Sequence, residues 1–164
     1  TGIILMKTGS LRLFLYGILL IAIQIVLLRH LQIFGATADL VLVYIVWLCI
    51  RRDKTLCLIY AAIFGLLTDA YTDLWGLHMF SKTLLVFILH GYLNRIKEKQ
   101  LLLWQVLAIL FLSALLHNTI FAGVTIFSDL YSTGFLYMQF ILYSSIYTAI
   151  LGSLLHLSLE GRIQ

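Results

Sequence analysis

The sequence predicts an all-α, polytopic membrane protein with six transmembrane helices. Three observations predict it: 62% of the 164 residues are hydrophobic, only 11% are charged, and those few charges cut the chain into long uncharged runs. A soluble domain has about 45–50% apolar and about 25% charged residues. A mean hydropathy of +1.05 instead names lipid as the solvent. A membrane β-barrel would show ~10-residue alternating segments split by turns, whereas these runs are continuous and rich in Leu and Ile. At 18.7 kDa the chain makes one unit, read as a single domain over residues 1–164.

A spanning helix needs roughly 20 mostly apolar residues to cross about 30 Å of hydrocarbon. The uncharged run Leu13–Leu28 predicts a first helix over 11–28, and Leu40–Ile50 a second over 37–51. Thr55–Thr68 predicts a third over 55–70, and Thr83–Asn94 a fourth over 78–95. The two longest runs, Gln100–Ser128 and Leu130–Leu159, predict helices over 100–125 and 133–159. The first helix is too long, and its flanks too unlike a cleavage site, for a removed signal peptide. Residues 1–5 read as either an added remnant or an unusual start, with Met6-Lys7 as the expected native beginning.

The positive-inside rule tests this count. With the N-terminus cytoplasmic, the inner side receives Lys7, Arg12, Arg51, Arg52, Lys54, Arg95, Lys97, Lys99 and Arg162, and the outer side only Arg29 and Lys82. Asp39, Asp69, Asp73 and Asp129 fall outside. The net charge of +4 is then +6 inside and −2 outside, which accounts for the basic balance without nucleic acid. Both termini are expected in the cytoplasm. Trp47 and Trp104 fall near the inner interface, and Trp75 and Tyr131 near the outer one, as an aromatic belt requires. Cys49 and Cys57 flank the first cytoplasmic turn and are expected to be free thiols.

Charged groups in a bilayer face a bundle interior or a wet cavity unless they lie at its edge. Asp39, Asp69, Asp73 and Lys82 cluster at the outer ends of spans two to four. Asp69 and Asp73 share a helical face at a spacing where like charges repel, which favours a nearby cation, and Lys82 is the closest. Two readings follow. One is an outward polar pocket of Asp39, Asp69, Asp73, His78 and Lys82; the other is ordinary interfacial capping. Gly76 permits a turn before His78. His117 and Asn118 lie in the outer half of span five, suited either to interhelical hydrogen bonds or to a functional polar site. His90 is expected at the inner interface.

Small residues recur at helical spacing in span six: Ser145, Ala149 and Ser153, and beside them Ser144, Thr148 and Gly152. Ala61 and Gly65 do the same in span three. Such faces let helices pack closely in lipid, either within the bundle or against a partner's helix. Nucleophile-elbow, zinc-protease, Walker and paired-cysteine motifs are absent from the sequence. No catalytic residue, metal site or cofactor is therefore expected.

The stretch from Ala38-Asp39 through Phe64-Gly65-Leu66-Leu67-Thr68-Asp69 to Gly76-Leu77-His78 resembles the MreD family of bacterial rod-shape proteins. Members show an aspartate opening the second span, Gly-Leu-x-x-Asp in the third, and a Gly-Leu-His-like start to the fourth. The match runs from about residue 36 to 95, about 60 residues of the sequence, and size and six-span layout agree along the whole chain. Proline often precedes the first aspartate in the family; here the residue is Ala38, in a chain without proline.

The resemblance implies a non-enzymatic adaptor of the cell-wall elongation machinery (the elongasome) in the inner membrane. Its expected partner is MreC, through a transmembrane helix and a periplasmic part. MreB, RodA and a class B transpeptidase are expected as indirect partners, and the lipid bilayer as its surroundings. It also implies a fold like the six-helix substrate-binding subunits of energy-coupling-factor transporters, so the rival reading is a vitamin-binding subunit. Such subunits carry alanines four apart in the first helix, whereas this one offers Gly17 and Ala22. An intramembrane enzyme would need an acid–base or metal constellation that the sequence does not supply.

Overall fold

The computed structural model describes residues 2–28, 30, 36–96, 101–127 and 134–160. Six α-helices form it: α1 Gly2–Ile23, α2 Leu40–Arg51, α3 Lys54–Thr72, α4 Leu77–Arg95, α5 Leu103–Phe127 and α6 Gly134–Glu160. Each overlaps a predicted span; α2 to α6 end within three residues of the predicted bounds, whereas α1 begins nine residues earlier, at Gly2. The start of α2 falls at Leu40 because Asp39 caps it. A π-helical turn, Gln24–Leu28, continues α1, and the Gln24 side-chain oxygen accepts the Val41 N–H at 3.2 Å. Arg29, Lys97, Lys99, Asp129, Tyr131 and Arg162, used in the charge and aromatic-belt arguments, lie outside the described residues.

Among the described residues, three helical segments are long and apolar enough to cross a membrane: Lys54–Thr72, Leu103–Ile126 and Met138–Ser158. Leu11–Val26 and Leu40–Arg51 are shorter apolar helices. The shortest, α2, packs against all five others and is buried along nearly its whole length, from Leu40 through Cys49. A helix hydrophobic all round belongs inside, and α2 is the axis around which the rest assemble.

Aromatic packing locks α1 and α3 onto it. Phe64 is fully buried, with its ring centroid 6.0 Å from Phe14 and from Tyr44 and 5.5 Å from Tyr60. The Tyr44 hydroxyl donates to the Leu13 carbonyl at 2.7 Å. A Cβ at Gly17 would overlap the Phe64 ring, so the glycine is what lets α1 close on α3.

The opposite end of α2 is closed by α4. Arg52 receives His90 Nε2 on its carbonyl at 2.9 Å, and Asn94 Nδ2 donates to the same oxygen at 3.4 Å. These side chains satisfy carbonyls that a helix C-terminus leaves without partners. His90 is buried within the bundle, at the end of α4 that meets the turn between α2 and α3. Cys49 and Cys57 are both buried free thiols.

Candidate functional site

Asp39 precedes α2 with extended backbone (φ −104°, ψ 90°), which turns its side chain back over the first helical turn. Its Oδ1 accepts the Leu42 N–H at 2.9 Å, the ordinary bond of an N-cap aspartate. Its own N–H donates to Thr148 Oγ1 at 3.1 Å, and the Thr148 hydroxyl donates to the Ser144 carbonyl at 2.7 Å. Ser144 Oγ in turn donates to the Thr37 carbonyl at 2.8 Å. Two hydroxyls of α6 thus hold the segment that leads into α2.

Asp39 Oδ2 faces α4, where it accepts Lys82 Nζ in a salt bridge. Lys82 is entirely buried, while the Asp39 side chain keeps 16% of its exposure. A buried ammonium in an apolar bundle is costly unless paired, and Asp39 is its partner. From α5, His117 Nε2 approaches the same carboxylate oxygen at 3.7 Å, longer than a hydrogen bond. The His78 ring lies parallel to His117 at 6.1 Å and stacks on Phe121 at 4.6 Å. Among the described residues, the buried Nδ1 atoms of His78 and His117 have no hydrogen-bond partner. One carboxylate, one ammonium and two imidazoles, from the start of α2 and from α4 and α5, therefore form one cluster, and Thr148 of α6 bonds the Asp39 amide beside it.

Asp69 does different work. Its Oδ1 accepts the His78 N–H at 2.8 Å and its Oδ2 the Met79 N–H at 2.9 Å, so α3 caps the N-terminus of α4 across the loop. The loop is tight because Gly76 takes φ 83° and Asp73 takes φ 60°, both left-handed. A Cβ at Gly65 would overlap the Met79 backbone, lying 2.8 Å from its nitrogen, so this glycine sets the α3–α4 approach.

The expected grouping is thereby redrawn. Asp39, His78 and Lys82 do come together, and His117 joins them. Asp69 spends both oxygens on the amides of α4, and Asp73 is an exposed helix cap. Lys82 pairs with Asp39 and not with the Asp69–Asp73 face, since the α4 amides already satisfy Asp69. Asn118 Nδ2 donates to Ser145 Oγ at 3.0 Å, joining α5 to α6. Ser144, Ser145, Thr148, Ala149, Gly152 and Ser153 are all buried inside the bundle. A Cβ at Gly152 would press on Leu110 and Val43, so this face packs against α5 and α2. The link between His117 and Asp39 was not foreseen, because nothing local ties residues so far apart. His90 and Asn94, one helical turn apart on α4, share the Arg52 carbonyl.

Among the described residues, no group of three or more His, Cys, Asp or Glu side chains is placed to hold a metal ion. The chain matches the family model for rod shape-determining protein MreD over residues 7–160. It belongs to the MreD family. No curated protein and no solved structure matches it. As an MreD-family protein it has a role in rod-shape determination, and it is a membrane protein with helices able to cross a bilayer. The residues that carried the resemblance now have a geometric reason. Gly65, Asp69, Gly76 and His78 form one junction, in which glycine admits the neighbouring backbone and aspartate caps it. Ala38, where the family often has proline, is buried with Leu40 against Leu20, Ile23, Tyr147 and Leu151.

Proposed function

We propose that this MreD-family protein is a non-enzymatic adaptor of the cell-wall elongation machinery, one that binds MreC and helps organise peptidoglycan synthesis. In this reading it crosses the bacterial cytoplasmic membrane six times, with both termini in the cytoplasm. MreB, RodA and a class B transpeptidase are reached indirectly, through MreC. The observation that carries the reading is that Asp39, Asp69 and Asn118 each bind another helix of the bundle. Asp39 holds Lys82, Asp69 holds the α4 amides, and Asn118 holds Ser145. Such bonds set the relative positions of α2 to α6, which suits a rigid docking platform better than a reaction centre.

A second reading, a vitamin-binding subunit with the energy-coupling-factor fold, draws support from the unpartnered nitrogens of His78 and His117. A bound small molecule with a hydrogen-bond donor would satisfy them. Purification from native membranes separates the two readings. The adaptor brings MreC with it when MreC is present and carries no stoichiometric vitamin. Retention of a tightly bound vitamin, with no MreC, overturns the adaptor.

A further inference from the structure

At the end of the bundle where α2 turns into α3, exposed cations gather on one surface. Arg51 and Arg52 close α2, Lys54 opens α3, and Arg95 ends α4. The bonds from His90 and Asn94 to the Arg52 carbonyl bring the last turn of α4 to this corner, and Arg95 comes with it. Asp53 is the one acid within the α2–α3 turn.

Two of these cations, although exposed, each lie over an aromatic ring. The Arg51 guanidinium lies over the Trp47 ring, 5.0 Å from its centroid, and Lys54 Nζ lies 4.1 Å from the Phe87 centroid. Trp47 is one turn back along α2, and Phe87 is two turns back along α4, with 38% and 61% of their surfaces exposed. Both charges are thus folded back along the outward-facing flank of apolar helices and seated on aromatic faces. In a membrane this flank faces lipid, and charges folded back from the helix ends lie level with headgroup phosphates.

We propose that this corner is a binding site for anionic phospholipid, with Arg51 and Lys54 as seated phosphate contacts and Arg52 and Arg95 adding to the field. The proposal rests on the helices crossing a bilayer and is independent of whether MreC is the partner. It differs from general attraction of basic loops to membranes, because it assigns the preference to the two aromatic-seated cations. Arg12, an exposed cation of α1 with no aromatic seat among the described residues, is the internal control.

The test places the purified chain in nanodiscs of phosphatidylcholine with a minor fraction of phosphatidylglycerol, and measures the phosphatidylglycerol retained on extraction. The wild-type chain is expected to enrich phosphatidylglycerol, with each of R51Q and K54Q weakening it about fivefold, the equivalent of about 1 kcal/mol per basic residue. R12Q is expected to leave the enrichment intact, and soluble glycerol phosphate is expected not to compete. W47L combined with F87L keeps every charge and is expected to weaken retention by unseating two of them. Equal losses in R12Q, R51Q and K54Q would reduce the effect to general attraction and overturn the site. Undiminished enrichment in R51Q with K54Q would overturn it as well, and competition by glycerol phosphate would reassign the corner to free phosphate.

Discussion

Lys82 Nζ donates to Asp39 Oδ2 across 43 positions of sequence, tying the interior of α4 to the first turn of α2. The pair sits where α2 and α4 meet, with His117 of α5 within 3.7 Å of the shared oxygen. Removing one member of a buried pair leaves an uncompensated charge, which costs about 3–5 kcal/mol, whereas replacing both is often neutral. Lys82→Met is therefore expected to destabilise by about that amount in equilibrium unfolding from mixed micelles. Asp39→Asn keeps a capping oxygen but strands Lys82, so it is expected to destabilise too. The double variant, Asp39→Asn with Lys82→Met, is expected to recover most of the loss. Additive losses in the double variant would show that the two side chains act separately.

The cap from Asp69 gives a graded prediction. Asp69→Ala leaves two part-buried amides of α4 without acceptors, expected to cost about 1–3 kcal/mol. Asp69→Asn keeps one acceptor and is expected to cost less. Thermal unfolding of the purified chain checks the order, and equal effects of the two changes would contradict the cap.

Gly65 and Gly123 make a matched pair. A Cβ at Gly65 overlaps the Met79 backbone, while one at Gly123 meets nothing within 4 Å. Gly65→Ala is expected to force α3 and α4 apart and lower the unfolding midpoint. Gly123→Ala is expected to be neutral or stabilising by up to about 1 kcal/mol, the helix propensity gain. A neutral Gly65→Ala would mean that α3 and α4 are not held as closely as described.

Cys49 and Cys57 are buried in the core around α2. A membrane-permeant maleimide is expected to label neither in the folded chain and both after denaturation, since reaction needs an accessible thiolate. Rapid labelling of either in the native state would contradict their burial.

Much of this architecture was legible in the sequence, for a physical reason. In lipid the uncharged runs must be helices, so the charges that bound them, such as Arg51-Arg52-Asp53-Lys54, mark the turns directly. The family motif was legible too, because Gly65, Asp69, Gly76 and His78 are neighbours in sequence as well as in space. The pairing of the acids was not. Asp39, Asp69 and Asp73 look alike as carboxylates at helix ends, and which one meets Lys82 depends on the angle at which α2 crosses α4. The same holds for His117 against Asp39, and for Thr148 against the Asp39 amide, contacts that exist only once α5 and α6 are folded back. The packing role of the small-residue face on α6 follows from its neighbours Leu110 and Val43, which no spacing within α6 reveals.

The central claim, an adaptor that holds MreC, is tested most directly by mixing this chain with purified full-length MreC in nanodiscs and measuring the assembly by native mass spectrometry. The account predicts a complex of the two chains that persists on dilution and forms equally well with the stable Asp39→Asn, Lys82→Met double variant, whose charges serve the fold. Two non-interacting populations, with this chain folded in its own discs, would contradict it.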